Sequence, residues 1–206
     1  AAVVIDADTG ETLFEQNADS RLPMASTTKI MTALVALGEG DLDRVYTVKP
    51  EYAAVEGSSM YLKEGEVLTL QELLYGLMLS SGNDAAVALA IYCGGTVEGF
   101  AELMNDKAHN LGLTGTHFEN PNGLDSPGHY STAKDLGTLA AYAMENPIFY
   151  KTVSAKNVKV GDRYLTNHNK LLRQIEGCIG MKTGYTKAAG RTLVSCARSR
   201  TRPRAR

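Results

Sequence analysis

The sequence predicts an α/β fold of the α+β type, in which an antiparallel sheet formed by both chain ends encloses a helical middle. Short β-type segments open the chain at residues 2–6 and 12–16 and close it at 157–160, 163–166, 179–182 and 192–196. Between them lie five stretches with apolar residues at helical spacing, two of them introduced by capping boxes. At 206 residues and 44% apolar content the chain can bury a substantial core, as one large domain or a main domain with a subdomain.

Taken in order, residues 7–11 contain Asp8 and Gly10, turn formers that join the first two segments into a hairpin. After Pro23 the apolar positions Ile30, Met31, Ala33, Leu34, Val35 and Leu37 predict a buried helix that starts near Ser26 and is stopped by Gly38 and Gly40. A polar, irregular region follows, with Tyr46-Thr47-Val48, Gly57-Ser58-Ser59 and a turn at 63–66. Thr69 and Glu72 form a capping box for a helix carrying Leu70, Leu73, Leu74, Leu77 and Met78, which ends at Ser80-Ser81-Gly82. Asn83 or Asp84 then caps a helix over 85–93 that is apolar nearly all round and therefore central to the core. Phe100, Leu103, Met104, Ala108 and Leu111 mark a further helix ending at Gly112. A short strand at 116–118, the loop Asn120-Pro121-Asn122-Gly123 and a helix over 132–145 complete the middle, and beyond Pro147 the chain reads as β-like.

No run of 18 apolar residues occurs, and residues 1–6 lack the charged start and long apolar stretch of a signal peptide, so any leader is expected to have been removed. Cys93, Cys178 and Cys196 stand singly without C-x-x-C spacing and read as small buried hydrophobes. The net charge is −2, to which five arginines in residues 198–206 contribute +5, so the body carries −7. The basic tail reads as a disordered or artificial end, and no basic patch with interleaved aromatics supports nucleic-acid binding. His109, His117, His129 and His168 show no metal-site spacing, no phosphate-binding glycine motif occurs, and no cofactor is expected; His129 is given a structural role.

Three short motifs carry the chemistry. Ser26 and Lys29, three residues apart on one helix face, set an amine beside a hydroxyl. The amine can take the hydroxyl proton only if burial or a neighbouring cation lowers its pKa. The free N–H groups at a helix start also favour an oxyanion. A second S-x-x-K, Ser131 to Lys134, reads more simply as a helix N-terminus, because Thr132 and Asp135 form a capping box there. Ser81-Gly82-Asn83 lies in a tight turn between helices, which can hold a hydroxyl and an amide rigidly. Lys182-Thr183-Gly184 ends a β-type run, where a strand edge, a hydroxyl and a cation could grip a carboxylate-bearing peptide.

In this order the trio S-x-x-K, S-x-N and K-T-G is a known motif set of β-lactamases and penicillin-binding proteins. With Gly57-Ser58-Ser59-Met60-Tyr61-Leu62 and His129-Tyr130-Ser131-Thr132-Ala133-Lys134-Asp135-Leu136, it makes the chain resemble the serine D-alanyl-D-alanine carboxypeptidases over residues 1–197. The resemblance implies a β-lactamase/transpeptidase-like fold and a truncated D,D-peptidase domain at 1–197. By position it implies Ser26 as acylated nucleophile, Lys29 as its general base and Ser81 as proton relay. Asn83, Lys182, Thr183, Gly184 and Tyr185 would bind substrate, with the N–H groups of Ser26 and Tyr185 as oxyanion hole. The implied partners are a peptidoglycan stem peptide ending in D-Ala-D-Ala and β-lactam antibiotics, met outside the cytoplasmic membrane of a bacterium. Membrane anchoring of a full-length protein is left open. By resemblance, the absence of an E-x-x-x-N element at residues 119–123 favours a carboxypeptidase that turns over D-Ala-D-Ala and is held as a slow acyl-enzyme by penicillin; the alternatives are a penicillin-recognising sensor and an inactive truncated scaffold without turnover. The chain departs from the resemblance after residue 197: a strand that would lie between the N-terminal hairpin and the K-T-G strand pair, and a C-terminal helix, are expected to be missing.

Overall fold

The computed structural model describes residues 1–39, 41–53 and 55–198; Gly40 and residues 199–206 of the tail lie outside the described residues. Strands β1 (Ala2–Ile5) and β2 (Thr12–Gln16) form the expected hairpin. A 3₁₀ turn, Ala25–Thr28, leads into α1 (Lys29–Glu39). Next come β3 (Val45–Thr47), α2 (Pro50–Ala53), β4 (Val67–Thr69) and α3 (Leu70–Leu79). Helices α4 (Asn83–Gly94), α5 (Val97–Asn110), α6 (Ala133–Glu145) and α7 (Pro147–Ser154) build the middle. The chain then forms β5 (Asn157–Val160), β6 (Arg163–Thr166), α8 (Leu171–Gln174), β7 (Cys178–Thr186) and β8 (Gly190–Ala197).

Helix α4 occupies the centre, as its all-round apolar sequence requires. Ala85, Ala86, Ala88, Leu89 and Ala90 are buried, and α1, α2, α3 and α5 pack against it. Small residues on α4 let those neighbours approach, and Leu70, Leu73, Leu77, Phe100 and Ile30 fill the space around it. Both sequence-predicted capping boxes form N-caps: Thr69 accepts from Glu72 N while the Glu72 carboxylate accepts from Thr69 N, and Thr132 accepts from Asp135 N.

Several expectations are corrected. The stretch after Pro147 begins as α7: the Asn146 side chain accepts from the N–H groups of Ile148 and Phe149, and proline at the first helical position costs no hydrogen bond. The region read as irregular contains the β3–β4 ladder. The strand at 116–118 reduces to a single bridge between His117 and Tyr130. Asn83 caps nothing; Gly82 is the N-cap residue of α4, which leaves the Asn83 side chain free to act elsewhere. The three cysteines are half-buried and free. Arg198, assigned to the tail, lies over the Tyr150 ring and donates to its hydroxyl at 2.6 Å.

The terminal strands do not merge into one hydrogen-bonded sheet. Among the described residues, β1–β2 and β7–β8 are separate antiparallel ladders, and α6 packs against both β1 and β8. No single helix among the described residues is long and apolar enough to cross a membrane.

Candidate active site

Ser26 sits in the 3₁₀ turn rather than in a regular α-helix, directly after Ala25, whose φ of 49° lies in the left-handed region. That conformation is costly for a residue with a Cβ, and strain of this kind is held where the surrounding structure dictates it. Ser81 repeats the feature, with φ 59° in the α3–α4 turn and a relative exposure of 5%. Within this turn Thr27 N donates to Met24 O at 3.3 Å and Lys29 N bonds back to the carbonyls of Ser26 and Thr27.

Lys29 is the centre of the arrangement. Its Nζ is fully buried and stands 3.0 Å from Ser26 Oγ, 2.7 Å from Asn83 Oδ1 and 2.7 Å from the Asn122 carbonyl. Desolvation by burial holds its pKa well below that of a free lysine, Lys182 lowers it further, and Asp84 opposes. A neutral amine has two hydrogens and one lone pair. Asn122 O can only accept, and Asn83 Oδ1 is fixed as an acceptor because Asn83 Nδ2 donates to Glu56 O at 2.5 Å. Both hydrogens are thereby engaged, and the lone pair is left facing the Ser26 hydroxyl. The three groups come from the turn before α1, from the start of α4 and from the loop before α6.

Asp84 clamps the turn at 81–83. Its carboxylate accepts from Ser59 Oγ, Met60 N and Leu62 N at 2.6–3.0 Å, and Asn83 N donates to Ser58 O. The 57–62 loop is thus fastened to the mouth of the site. Arg163 of β6 holds the far end of that loop, with Nη2 2.6 Å from both Glu66 Oε2 and the Tyr61 carbonyl.

Lys182, on β7, is 1% exposed and donates to the Thr183 carbonyl at 2.7 Å; burial lowers its pKa to about 7. Residue 184 must be glycine, because a Cβ there would lie 2.8 Å from Ser26 N and 2.4 Å from Thr192 Oγ1. The missing side chain lets β7 lie against the Ser26 turn. Gly123 does the same from the opposite side: at φ +87° its Cβ would fall 2.0 Å from the Ala25 carbonyl. Thr32 Oγ1 donates to Pro121 O at 2.6 Å and ties this loop to α1.

Ser26, Ser81, Thr183, Gly184 and Tyr185 line one cleft of about 560 Å³, together with Ser58, His168, Asn169, Lys170, Leu171, Arg191, Thr192 and Leu193. Lys29, Asn83 and Lys182 lie buried: Lys29 bonds both Ser26 and Asn83, and Lys182 is coupled to Lys29 electrostatically. All eight residues singled out from the sequence therefore gather in one region. The second motif does not: Lys134 is exposed and pairs with Asp19 at 3.7 Å, while Ser131 Oγ bonds Thr116 Oγ1. Sequence reasoning missed the Asn122 carbonyl, Gly123 and the 168–170 segment. The turn residues of Asn120-Pro121-Asn122-Gly123 mark a loop, and a backbone acceptor inside it leaves no side-chain signature.

His129 supports the site from beneath. Its Nδ1 accepts from Glu119 N at 3.1 Å, so Nε2 carries the proton and donates to Thr28 Oγ1 at 2.8 Å. Burial lowers its pKa to about 4, consistent with this neutral tautomer. At the rim, His168 is held below its ordinary value by desolvation and by Lys182.

The comparisons agree with this architecture. Residues 1–205 match the family model described as D-alanyl-D-alanine carboxypeptidase. The curated protein DacF of Bacillus subtilis, a D-alanyl-D-alanine carboxypeptidase, is 38% identical over 209 residues, covering 96% of this chain and 54% of its own. DacB2 of Mycobacterium tuberculosis, of the same description, is 40% identical over 201 residues, covering 95% and 69%. The chain spans about half the length of DacF and of DacC from Escherichia coli. A DD-transpeptidase structure from Streptomyces superposes with a TM-score of 0.91 at 38% identity, covering 96% of this chain and 84% of that one. With a full-length family match, relatives near 40% identity and a shared architecture, the chain belongs to the D-alanyl-D-alanine carboxypeptidase family.

Proposed function

We propose that this chain is the peptidase domain of a serine D,D-carboxypeptidase that removes the terminal D-alanine from peptidoglycan stem peptides and is acylated by penicillin. The observation that carries the reading is the buried Lys29 amine, 3.0 Å from Ser26 Oγ and 2.7 Å from the Asn83 Oδ1 and Asn122 O acceptors; once neutral, it has its lone pair left for the Ser26 hydroxyl.

In this reading Lys29 takes the Ser26 proton as Oγ attacks the carbonyl carbon of the penultimate D-alanine. The carbonyl oxygen becomes an oxyanion and is met by the N–H groups of Ser26 and Tyr185. Ser81 hands its proton to the departing nitrogen as the C–N bond breaks and receives in turn the one that Lys29 took, so that D-alanine leaves, an ester remains on Ser26 and the Lys29 amine is neutral again. Asn83 orients the substrate amide, Lys182 and Thr183 face the terminal carboxylate, and Gly184 gives the substrate access to the strand edge. Water then cleaves the ester and restores the Ser26 hydroxyl. Because such a substrate lies outside the cytoplasmic membrane, the protein is assigned there, with residues 1–197 as the working domain.

The test is intact-mass analysis after incubation with benzylpenicillin, alongside release of D-alanine from a peptide ending in D-Ala-D-Ala. The expected result is one adduct per chain, absent in Ser26→Ala, with repeated D-alanine release. No adduct on the unaltered chain would overturn the assignment, and an adduct without any release would reduce it to penicillin recognition.

A further inference from the structure

The Ser26 turn is gripped from two sides. On one side a Cβ at Gly123 would fall 2.0 Å from the Ala25 carbonyl oxygen; on the other, a Cβ at Gly184 would fall 2.8 Å from Ser26 N and 3.1 Å from Ala25 Cβ. Each of these two segments runs two residues further, and there they meet: Thr186 Oγ1 donates to Asp125 Oδ1 at 2.7 Å. The loop before α6 and the end of β7, joined by residues 61 positions apart, thus close a ring of contacts with the Ala25–Ser26 peptide.

The bond is directional. A threonine hydroxyl has one proton to give, and an ionised carboxylate can only accept. Thr186 Oγ1 accepts from Ala189 N at 3.0 Å inside the β7–β8 turn, so its proton is the one that points across the gap to Asp125. The loop on the Asp125 side is already fastened: residues 121–123 are buried, Pro121 O receives Thr32 Oγ1, and Asn122 O receives Lys29 Nζ. The base of the clasp is therefore fixed, and what it holds is the strand.

That strand needs holding. Among the described residues β7 pairs with β8 alone, and its residues 183–185 line the cleft. Thr186 is the last residue of β7, opposite Gly190 in the ladder. Tyr185, directly before it, is 67% exposed, so burial of its own side chain does little to fix its backbone. The ends of a two-stranded ribbon are where a ladder opens most easily. An oxyanion donor has to stand about 2.7–3.1 Å from the oxygen it meets, so play at residue 185 would be paid in rate.

We propose that Asp125 and Thr186 are positioning residues for acyl transfer: their hydrogen bond clasps the end of β7 to the loop before α6 and so fixes the Tyr185 N–H against the Ser26 turn. This rests on the serine acyl-transfer reading of the same cleft, which gives that N–H to the oxyanion. Both side chains act through the Tyr185 backbone and take no part in the bond-breaking steps. The clasp is distinct from the contact that the same loop makes with Lys29 through Asn122 O.

Acylation by benzylpenicillin is followed by intact mass on the full chain as a function of pH. The proteins compared are the unaltered chain, Asp125→Ala, Asp125→Asn, Thr186→Val, and Asp125→Ala combined with Thr186→Val. Removing the bond from either side should slow acylation about tenfold at every pH, with the rising limb in place because the Lys29 amine keeps its partners. The combined variant should be within about twofold of the slower single one, since both changes delete the same bond. Asp125→Asn keeps an accepting Oδ1 and should stay within about threefold of the unaltered chain. The clasp is overturned by single variants that both acylate at the unaltered rate, by losses that multiply in the combined variant, or by Asp125→Asn as slow as Asp125→Ala. A limb that moves also overturns it, by giving the effect to Asn122 and Lys29. Circular dichroism at the assay temperature reports folding: Asp125 is exposed, so Asp125→Ala decides the matter if Thr186→Val does not fold, and an unfolded Asp125→Ala overturns the proposal. An unaltered chain that takes no adduct overturns the acyl-transfer reading and the clasp with it.

Discussion

At the scale of single residues, function depends on how burial divides protons between groups that would be charged in water. Lys29 and Lys182 are both buried and both depressed, and Lys182 is one cause of the lowering at Lys29. Removing the Lys182 charge should therefore raise the Lys29 pKa and leave less free amine at neutral pH. Lys182→Met is expected to move the rising limb of the pH–acylation profile to higher pH and to slow acylation at pH 7 at least tenfold. A limb that stays in place would separate the two lysines. His129 provides a second pH effect. Its folded-state pKa of about 4 lies below the ordinary 6.5, so the folded protein binds fewer protons than the unfolded chain between those values. Its contribution is complete above pH 6.5 and is lost as pH falls through 4, about 3 kcal/mol across the window. His129→Gln should flatten this part of the stability curve, measured by urea unfolding between pH 4 and 7.

At the scale of elements, caps and close approaches decide where chains start, stop and touch. Helix α7 was hidden from the sequence reading because residues 147–154 include Ile148, Phe149, Tyr150, Thr152 and Val153, β-formers by propensity. The Asn146 cap and Pro147 outweigh that preference locally. Asn146→Ala is expected to cost about 1 kcal/mol in thermal or chemical unfolding, with acylation unchanged. Gly123 belongs to the opposite class. Its positive φ and the 2.0 Å clash that a Cβ would make with Ala25 O mean that Gly123→Ala must push the 120–123 loop off the Ser26 turn. That would withdraw the Asn122 carbonyl from Lys29, so benzylpenicillin acylation should fall a hundredfold or more while the helical circular dichroism signal persists. A variant that acylates normally would show that the loop is not needed to orient the amine.

At the scale of the whole molecule, the two terminal hairpins lie on α6 without joining. Every residue of β2 is exposed, including Leu13 at 61% and Phe14 at 54%, and Leu193 on β8 is 52% exposed. Unpaired edges bearing large apolar side chains favour pairing with another chain. Sedimentation equilibrium of this chain should show average mass rising with concentration, and the double substitution Phe14→Lys with Leu193→Lys should suppress the rise. A mass independent of concentration would mean that these edges are protected.

The sequence by itself determined the fold class, the helical middle with its capping boxes, and the three motifs, because periodicity, caps and motif spacing are local properties of the chain. Its reading of α4 as the core helix holds for the same reason: a segment apolar on every side has only the interior to occupy. Only the tertiary structure decided that residues 26, 29, 81, 83 and 182 share one region, that a backbone carbonyl from residue 122 completes the lysine's shell, and that the terminal strands form two ladders. Those outcomes depend on contacts between residues as many as 168 positions apart, as in the Thr192 hydroxyl that donates to Met24 O, and on glycines whose meaning is the neighbour they admit. Contacts at that separation are set by how layers pack, and packing is written in no local pattern.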